Sequence, residues 1–315
     1  MDNSGKNSID FNRINFNWRD YINNNIDLQQ HKIRSETGAK SHYTRHGHKE
    51  NRIICNEKYI SKNTNLSDDY TFVILRCVKR QKNSFLWEQC YHSIRKFHPN
   101  NKIIIIDNNS NQTMIKKIEV TNCELIQHNS EPSGEILPYF YFLKHKWSKY
   151  MIYFQDSMFL NAPLCADKLN VEHFKFFWHF SPGVHDHKTL IPSFINFLKE
   201  PEKVNELFLN KKEWFGSFGL SCTMSLQFLE FIEEKHHFTK LMSHIGSRDH
   251  RKALERIFGL LCSLYHFEDV HNSYFGNVCT CPNFGKNTIE DYKKGTDHVN
   301  KWEELFSLSK IFVCR

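Results

Sequence analysis

Three short polar segments in the sequence carry side chains that could bind a phosphorylated nucleoside. They are Arg76 with nearby Lys79, Asp107-Asn108-Asn109, and Gln155-Asp156-Ser157, and each follows or ends a run of apolar residues. Carboxylate oxygens accept hydrogen bonds from a base or ribose and ligate hard divalent cations. Guanidinium and ammonium groups donate charge-assisted hydrogen bonds to phosphate. The first hypothesis is therefore a nucleotide site near these segments.

The two aspartates in these segments also have structural explanations. An aspartate directly after a strand often serves as a turn residue or as the N-cap of a helix, and this alternative stays open for Asp107. Asp156 lies between the apolar residues 150–154 and 158–160, so we expect it to be partly buried. Because a buried carboxylate needs a metal ion or a hydrogen-bond partner, a functional role is favoured for Asp156.

Two carboxylates in the second half of the chain, Asp249 and Glu255, are candidates for a general base. Asp249 lies at the start of a predicted helix, where a negative charge also interacts favourably with the helix dipole. Glu255 could instead pair with Arg251, four residues before it. We favour Glu255, because the apolar residues around it predict partial burial, and burial raises the pKa of a carboxylate towards the range that suits a base.

Hydrophobic periodicity predicts the strands and helices that position these residues. Apolar runs indicate strands at 71–78, 102–107, 124–127, 150–154 and 174–180. Helical spacing indicates helices at 85–97, 114–120, 136–147, 189–199, 201–210, 225–235, 239–244 and 249–264. The order predicts an α/β fold, with a mostly parallel sheet flanked by helices, right-handed crossovers and a more helical C-terminal half. In such a sheet ligands bind beyond the carboxyl ends of the strands, where the three polar segments lie.

The composition bounds the class of protein. The 315 residues include 27 Phe, and aromatic residues reach 14%, with only 12 Gly and 8 Pro, which excludes a collagenous or wholly disordered chain. The mean hydropathy is −0.58, and no apolar run approaches the ~20 residues of a transmembrane helix, so we expect no membrane span. The formal net charge of +7 suits an anionic ligand. It is small for a dedicated nucleic-acid binder, and we do not expect nucleic acid as a partner.

The first 68 residues differ from the rest, because they are polar and basic and lack a sustained apolar periodicity. We predict that residues 1–68 form a partly disordered extension, with an arm for nucleic acid or an anionic surface as the weaker alternative. Residues 69–315 are predicted to form the folded domain. The N-terminus lacks the apolar stretch of a signal peptide, and the ten cysteines are scattered. We therefore expect reduced thiols and a cytoplasmic protein.

Several parts of the chain resemble glycosyltransferases of the GT-A type, which bind nucleotide sugars on a Rossmann-like half domain. The order of the first strand, Asp107-Asn108-Asn109-Ser110, the third strand and Asp156 is similar to the order in these enzymes. A closer resemblance is to uncharacterised glycosyltransferase-like proteins, several of them from large DNA viruses. It covers about residues 70–315 and is carried by Gly134-Glu135-Ile136-Leu137-Pro138-Tyr139, Phe154-Gln155-Asp156-Ser157-Met158-Phe159, Trp214-Phe215-Gly216-Ser217-Phe218-Gly219 and Leu254-Glu255-Arg256-Ile257-Phe258-Gly259.

The resemblance implies a role for each part of the chain. Residues 69–160 would form the nucleotide-binding half of a GT-A-like domain, and residues 161–315 the acceptor-binding half. The donor nucleotide sugar would contact Arg76, Lys79, Asp107, Asn108, Asn109, Gly134, Glu135, Gln155 and Ser157. Within that set, Asp107 would hold the base or the ribose. The acceptor would contact Trp214, Gly216 and Phe218, and plain packing is an equal alternative for Trp214.

The same resemblance places Asp156 at the metal position, where Mn²⁺ or Mg²⁺ would bridge to the diphosphate of the donor. Some GT-A enzymes recruit a late histidine to the metal, and His298 is the candidate here. The chain departs from the usual Asp-x-Asp motif, because Gln155 precedes Asp156 and Met158 lies two residues beyond it. The alternatives are a metal-independent enzyme, which uses arginine and lysine for the diphosphate, or an inactive protein.

The favoured function is a glycosyltransferase that moves a sugar from a nucleotide sugar, preferably a UDP-sugar, to a glycan or protein acceptor. The alternative from another class is a catalytically inactive GT-A-like module that binds sugar or protein. A third hypothesis, a basic protein associated with nucleic acid, depends on residues 1–68 alone. If the chain is viral, the host cytoplasm or the virion is the expected location. A homo-oligomer stays open.

Overall fold

The chain divides into two compact units, Met1–Ile60 and Ser61–Arg315, in the computed structural model. The residues that the structure describes are 16, 18, 21–22, 25, 27–28, 31–50, 52, 65–129, 134–169, 171–183, 186–281 and 284–313. Much of the predicted extension at 1–68 therefore lies outside the described residues, and its partial disorder stays a prediction.

The N-terminal unit has a small apolar cluster of its own. Helix α1 (Glu36–His42) begins after Ser35, whose side chain accepts a hydrogen bond from the Gly38 amide, as N-cap residues do. A single π-helical turn, Tyr43–Gly47, continues the helix. The buried apolar side chains described in this unit are Tyr21, Ile22, Leu28 and Ala39. This local order was not predicted, because the polar composition conceals it.

The C-terminal unit alternates strands and helices. Its strands are β1 (Tyr70–Arg76), β2 (Ile103–Asn108), β3 (Cys123–His128), β4 (Tyr150–Gln155), β5 (Met158–Leu160), β6 (Phe174–Phe176), β7 (His179–Phe180), β8 (Gly216–Ser217), β9 (Cys222–Ser225) and β10 (Leu308–Lys310). Its α-helices are α2 (Ser84–Phe97), α3 (Leu137–His145), α4 (Ala166–Leu169), α5 (Leu190–Ile195), α6 (Pro201–Leu209), α7 (Leu226–His236), α8 (Arg248–His271), α9 (Ile289–Lys294) and α10 (Asp297–Leu305). None of the helices in the described ranges has both the length and the apolar character that a membrane crossing requires.

A six-stranded, mostly parallel sheet forms the centre of this unit. Its strand order is β3-β2-β1-β4-β9-β6. The strands β1 to β4 run parallel, and β9 runs antiparallel to both of its neighbours, β4 and β6. Two short antiparallel pairs, β5 with β10 and β7 with β8, complete the strand pairing. The predicted α/β architecture with a mostly parallel sheet is confirmed.

The direction of winding reverses at β1. From β1 the chain proceeds outward to β2 and β3, and it then returns to β4 on the other side of β1. Side chains of helix α2 pack on one face of the sheet, and those of helix α3 pack on the other. The strands β1 and β4 therefore border a topological switch point. Ligands of open α/β sheets bind in the crevice outside the carboxyl ends of the strands at such a point.

Apolar side chains cover both faces of the sheet. Val73 and Ile104 belong to the cluster that includes α3, α7 and α8. Phe72, Ile74 and Ile103 belong to the cluster that includes α2 and α10. Successive residues of a strand point to opposite faces. A continuous apolar run is therefore the pattern that a strand buried on both faces needs.

Two parts of the sequence-based prediction are wrong. At 114–120 there is no α-helix: Gln112–Met114 form one 3-10 turn, and the Lys116 amide then donates to Ser84 Oγ at 2.9 Å. That bond holds the segment to Ser84, the first residue of α2. The strand predicted at 174–180 is split, because β6 pairs with β9 whereas β7 pairs with β8. The sequence analysis did not predict the short strands β5, β8, β9 and β10 or the helices α4, α9 and α10.

Candidate functional site

Arg76 and Asp107 form a buried ion pair at the carboxyl ends of β1 and β2. The two residues are partners in the parallel register, and Arg76 Nε donates to Asp107 Oδ2 at 2.6 Å. The Arg76 side chain is 4% exposed and that of Asp107 is 0% exposed. The guanidinium also lies over the Trp87 ring, 4.8 Å from its centre. Both charges are therefore balanced within the pair and shielded from solvent.

The second oxygen of Asp107 organises the turn that follows β2. Oδ1 accepts a hydrogen bond from the Ser110 amide at 2.9 Å, and Ser110 Oγ accepts one from the Val78 amide at 2.8 Å. Asn109 has a left-handed φ of 54°, and its carbonyl oxygen accepts a hydrogen bond from Lys79 Nζ. The structure thus brings the predicted nucleotide-binding residues of β1 and β2 together. It also gives Asp107 the contacts of a turn residue.

Asp156 lies at the switch point, directly after β4. It is buried, its amide donates to the Leu75 carbonyl at 3.1 Å, and its Oδ2 accepts from the Cys77 amide at 3.1 Å. These two bonds fasten the end of β4 to the end of β1. At the end of β2, Asn108 is buried as well, and its side-chain oxygen has no hydrogen-bond partner among the described residues.

Five polar side chains from four stretches of chain converge next to Asp156, and we refer to them as the Gln155 cluster. Its members are Glu135, Gln155, Ser157, Glu255 and Lys310. Gln155 Nε2 donates to Glu135 Oε1 at 3.2 Å. Lys310 Nζ donates to Gln155 Oε1 and, at 2.7 Å, to Ser157 Oγ. The cluster therefore combines carboxylates with an ammonium group at the edge where ligands of such sheets bind.

Glu255 joins the cluster from helix α8 through the backbone of Gly219. Its Oε1 accepts a hydrogen bond from the Gly219 amide at 2.9 Å. Gly219 has a left-handed φ of 62°, and a Cβ added there would lie 3.1 Å from the Gln155 side chain. A larger residue would be both strained and crowded. Glycine at position 219 thus allows the backbone to contact Glu255 while it lies against Gln155.

Glu255 has the electrostatic environment of a general base. Its side chain is 21% exposed. Burial is the main effect and raises the pKa of Glu255 from 4.5 to about 7, against the opposing charge of Arg256. The charge of Glu135 also raises this pKa, whereas the Gly219 amide and Lys310 lower it. A carboxylate with a pKa near neutrality suits proton abstraction at neutral pH.

Glu135 brings a second carboxylate, on the turn before α3. The 3-10 turn Gly134–Ile136 begins at Gly134 with a φ of 62°, and a Cβ there would lie 2.9 Å from Arg251 Cδ. Arg251 Nη1 lies 3.7 Å from Glu135 Oε1. The other oxygen, Oε2, is buried without a hydrogen-bond partner in the part of the chain that the structure describes. One oxygen of Glu135 therefore retains its capacity to accept a hydrogen bond.

Asp249 and His298 make contacts elsewhere. The Asp249 side chain is 55% exposed, and its Oδ1 accepts a hydrogen bond from Lys252 Nζ at 3.0 Å. His298 Nε2 lies 3.5 Å from Asp291 Oδ2. No described contact joins either residue to Asp156 or to the Gln155 cluster. Of the two candidate bases, only Glu255 belongs to the Gln155 cluster.

The predicted acceptor residues lie mainly in the packed interior. Trp214 is fully buried, and its indole Nε1 donates to the Phe208 carbonyl at 3.3 Å. Gly216 lies in β8 so close to Phe180 that an added Cβ would be 2.0 Å from its ring. Phe218 is partly exposed. Packing therefore explains Trp214 and Gly216, and Phe218 alone of the three has surface that a sugar could contact.

Lys310 and Arg251 were not predicted as site residues. Strand β10 pairs antiparallel with β5, and this pairing brings Lys310 to Gln155, although the two are 155 residues apart in the sequence. A lysine among the apolar and serine residues 306–313 was the available signal. Lysine is almost never buried without a partner. Its position in this apolar segment therefore indicates a polar contact but does not identify the partner.

The side chains around Asp156 do not fit a divalent cation. Hard cations take several oxygen ligands. Within the described ranges, no group of three or more His, Cys, Asp or Glu side chains is arranged to hold a metal ion. Oδ2 of Asp156 accepts the Cys77 amide, and the Lys310 ammonium lies against the next residue, Ser157. A Mn²⁺ or Mg²⁺ site at Asp156 stays a prediction that this set of donors does not favour.

Comparison with known proteins leaves the family of the chain open. Neither a protein-family model nor a curated protein matches it. Function is therefore inferred from the fold and from the residues that lie together at the switch point.

Proposed function

We propose that the protein is a GT-A-type glycosyltransferase that transfers a sugar from a nucleotide sugar, with UDP-sugars favoured, to a glycan or protein acceptor. The observation that carries the proposal is the convergence of Glu135, Glu255 and Lys310 next to Asp156 at the switch point of the sheet. Ligands of open α/β sheets bind at such points. A base with a pKa near neutrality and a buried cation are the groups that this transfer needs.

The resemblance noted in the sequence supports the same proposal. Three of the four segments that carry it, 134–139, 154–159 and 254–259, supply members of the Gln155 cluster. Segments that lie far apart in the sequence and meet at one site are the expected arrangement for an active site. The fourth segment, 214–219, supplies Gly219, whose amide holds Glu255.

In the proposed reaction, the acceptor hydroxyl attacks the anomeric carbon of the donor sugar. Glu255 takes the hydroxyl proton as the new carbon–oxygen bond forms. The bond between the anomeric carbon and the diphosphate oxygen breaks, and its electron pair stays on that oxygen. A nearby cation stabilises the negative charge that develops on the leaving nucleoside diphosphate. A direct displacement of this kind inverts the anomeric carbon.

The nucleoside would lie along the ends of β1 and β2. Arg76 and Asp107 are occupied with each other there. The groups that we assign to a nucleoside are Lys79, which is exposed, Asn109, which is partly exposed, and the Asn108 side-chain oxygen, which has no hydrogen-bond partner among the described residues. In this arrangement Asp107 positions the turn and does not bind the base or ribose itself.

A catalytically inactive binding module of the same fold is the second candidate. The observation that favours it is the burial of both aspartates that the resemblance assigns to the donor. Asp107 accepts the Ser110 amide and Asp156 accepts the Cys77 amide. Such a module would bind UDP, GDP or their sugars without releasing a nucleoside diphosphate.

The test is the release of nucleoside diphosphate from a panel of UDP- and GDP-sugars, measured with and without Mn²⁺. We expect Asp156→Ala to abolish turnover, because it removes the carboxylate that fastens β4 to β1 next to the Gln155 cluster. Asp167→Ala, at an exposed position of α4, is the control and should behave like the unmodified protein. Turnover retained in Asp156→Ala would show that the role of this residue is misassigned.

The same panel separates the two candidate functions. Release of nucleoside diphosphate from at least one donor supports the enzyme. Thermal stabilisation by UDP or GDP without release supports the binding module. If no donor is turned over and neither nucleotide shifts the melting temperature, both candidate functions are excluded. Because Asp156 is buried, the unfolding midpoint of each variant is measured alongside, and Asp156→Asn serves as a variant of nearly unchanged shape.

A further inference from the structure

Arg256 is a buried arginine that follows the candidate base on helix α8. Its side chain is 4% exposed. Nη1 donates to Glu255 Oε2 at 3.3 Å, and Nε donates to Asp186 Oδ1 at 3.3 Å. Burial of a guanidinium is costly unless hydrogen bonds and opposite charges offset it. Arg256 thus bridges the candidate base and a second carboxylate from another part of the chain.

Close packing keeps the Arg256 guanidinium in this place. Nη1 also donates to the Lys252 carbonyl at 2.9 Å, and Cζ lies 4.4 Å from the centre of the Phe180 ring. Helix α8 lies so close to the chain before β8 that a Cβ added at Gly259 would be 2.0 Å from the Phe215 carbonyl oxygen. Because the helix and the ring are both held by packing, the guanidinium stays between the two carboxylates.

Asp186 lies in the segment between β7 and α5, and its side chain is 4% exposed. Its Oδ2 accepts hydrogen bonds from the Gly183 amide at 2.6 Å and from Lys211 Nζ at 3.4 Å. The Lys211 side chain is 52% exposed, so solvent screens much of its interaction with Asp186. Arg256 is buried, and its interaction with Asp186 is screened much less.

The charge of Arg256 opposes the effect of burial on Glu255. Burial is the largest effect on the pKa of Glu255 and raises it, and Arg256 lowers it. Because Asp186 offsets part of the charge of Arg256, it weakens the attraction of this arginine for the ionised base. The other groups that act on Glu255 are Glu135 on the turn before α3, Lys310 on β10 and the Gly219 amide.

We propose that Asp186 is a positioning residue for the transfer: it holds the Arg256 guanidinium and offsets part of its charge, which leaves Glu255 able to take the proton of the acceptor hydroxyl. The inference rests on the proposed function, since it concerns the base of that reaction. With a neutral residue at position 186, the guanidinium would pair more fully with Glu255. The carboxylate would then be a weaker base.

The experiment titrates Glu255 by ¹³C NMR of the glutamate carboxyl carbons in the full chain, and Glu255→Gln identifies the signal. We expect Asp186→Asn, which keeps an acceptor for the Gly183 amide, to move the midpoint of this titration to lower pH by about one pH unit. Asp186→Glu keeps the charge and should keep the midpoint of the unmodified protein. Asp167→Asn, at an exposed position of α4, is the matched control and should have no effect.

A background without the arginine tests whether Asp186 acts through Arg256. Arg256→Met should raise the midpoint, because Arg256 lowers the pKa of Glu255. In this background Asp186→Asn should change the midpoint much less than it does alone. An equal change in both backgrounds would overturn the assignment. An unchanged or higher midpoint in Asp186→Asn, or the same shift in Asp186→Asn and Asp186→Glu, would overturn it as well, since a merely structural role gives these results.

If Asp186→Asn does not fold, as judged by circular dichroism, the other cation at Asp186 decides the matter. Lys211 and Arg256 share this carboxylate, so Lys211→Gln should leave more of its charge to Arg256 and raise the midpoint of Glu255. Lys212→Gln, at the next exposed position, is the matched control for the loss of one positive charge. Equal midpoints in these two variants would overturn the assignment.

Failure of the proposed function has a different signature. The titration of Glu255 needs no donor, so it measures the effect of Asp186 even if no nucleotide sugar is turned over. If a donor is turned over, the acid limb of the pH profile of kcat/KM should move with the titration in Asp186→Asn. An acid limb that stays in place would exclude the role of Asp186 in the transfer. A shifted titration without any turnover would exclude that role together with the proposed function.

Discussion

Two acidic regions at the same edge of the sheet differ in how their charge is balanced. At the ends of β1 and β2, both oxygens of Asp107 are bonded, one to Arg76 and one to the Ser110 amide. In the Gln155 cluster two carboxylates, Glu135 and Glu255, interact with each other. There Oε2 of Glu135 has no partner among the described residues.

The difference separates a carboxylate that holds the chain in place from carboxylates that can react. Asp107 could reach a ligand only by giving up bonds that fix the turn after β2. In contrast, burial raises the pKa of Glu255 to about 7. Perturbed carboxylates in a ligand-binding crevice are typical of catalytic sites. The balance of charge, rather than the position after a strand, therefore distinguishes the two regions.

The largest effect on stability is expected at the Arg76–Asp107 pair, where the two charges balance each other. Arg76→Met leaves the Asp107 carboxylate buried without its cation, and we expect the free energy of unfolding to fall by about 3–5 kcal/mol. Urea unfolding at pH 7 measures this loss. The double variant Arg76→Met/Asp107→Asn removes both charges and keeps an acceptor for the Ser110 amide. It should recover most of the loss, because the uncompensated charge is gone.

A small effect of Arg76→Met on the free energy of unfolding would contradict the difference drawn between the two acidic regions. A loss below about 1 kcal/mol is what an exposed ion pair gives. In that case the first region would not differ from an ordinary salt bridge, and Arg76 would again be available for the diphosphate of the donor.

In the Gln155 cluster, where the charge is not fully balanced, Glu255 should make the stability of the protein depend on pH. The pKa of Glu255 lies above its value of 4.5 in the unfolded chain. Its contribution to stability is therefore complete below pH 4.5 and is lost as the pH rises to about 7. A difference of 2.5 in the pKa, from 4.5 to about 7, corresponds to about 3 kcal/mol. Glu255→Gln should thus be more stable than the unmodified protein at pH 8, by up to this amount, and equally stable at pH 4.

Urea unfolding of Glu255→Gln and the unmodified protein at a series of pH values measures this difference. Glu213→Gln, at an exposed position before β8, is the control and should show a difference that does not grow with pH. A stability of Glu255→Gln that stays constant relative to the unmodified protein from pH 4 to pH 8 would mean that Glu255 is not perturbed. The proposed base would then have an ordinary carboxylate pKa.

The sequence predicted the strands well where the apolar run alone decides the structure. Residues 103–106 are four consecutive isoleucines, buried on both faces of the sheet. The failed helix at 114–120 shows the limit of this reasoning. Ile115 and Ile118 do pack against the core, but they do so from an extended chain whose Lys116 amide is bonded to Ser84. Apolar spacing indicates which residues are buried, whereas tertiary hydrogen bonds determine the backbone conformation.

The candidate site was predictable only in part, for a related reason. Asp156 and Glu135 lie in segments that could be recognised locally, and the apolar neighbours of Glu255 correctly indicated its burial and its raised pKa. Lys310 could not be placed, because the pairing of β10 with β5 brings it to Gln155. Trp214 was equally ambiguous, since an aromatic side chain that packs in a core and one that stacks on a sugar have the same local sequence.

The smallest effect is expected from Asp249, which lies on the same helix as Glu255. Its pKa is lowered, first by the hydrogen bond from Lys252 and then by the charge of that lysine. Its contribution to stability is therefore present at neutral pH and is lost as the pH falls. Because the group is exposed, Asp249→Asn should lower the unfolding midpoint only slightly at pH 7 and not at all at low pH. The sign is opposite to that of Glu255→Gln.

Turnover should separate the two carboxylates of α8 more clearly than stability does. Loss of a general base lowers the rate by about 10²–10⁴, so Glu255→Gln should be nearly inactive, whereas Asp249→Asn should retain the activity of the unmodified protein. The measurement is nucleoside diphosphate release by both variants at one saturating donor concentration. An inactive Asp249→Asn with full activity in Glu255→Gln would reverse the assignment. The base would then be an exposed carboxylate outside the Gln155 cluster, and a raised pKa would no longer mark the reactive region.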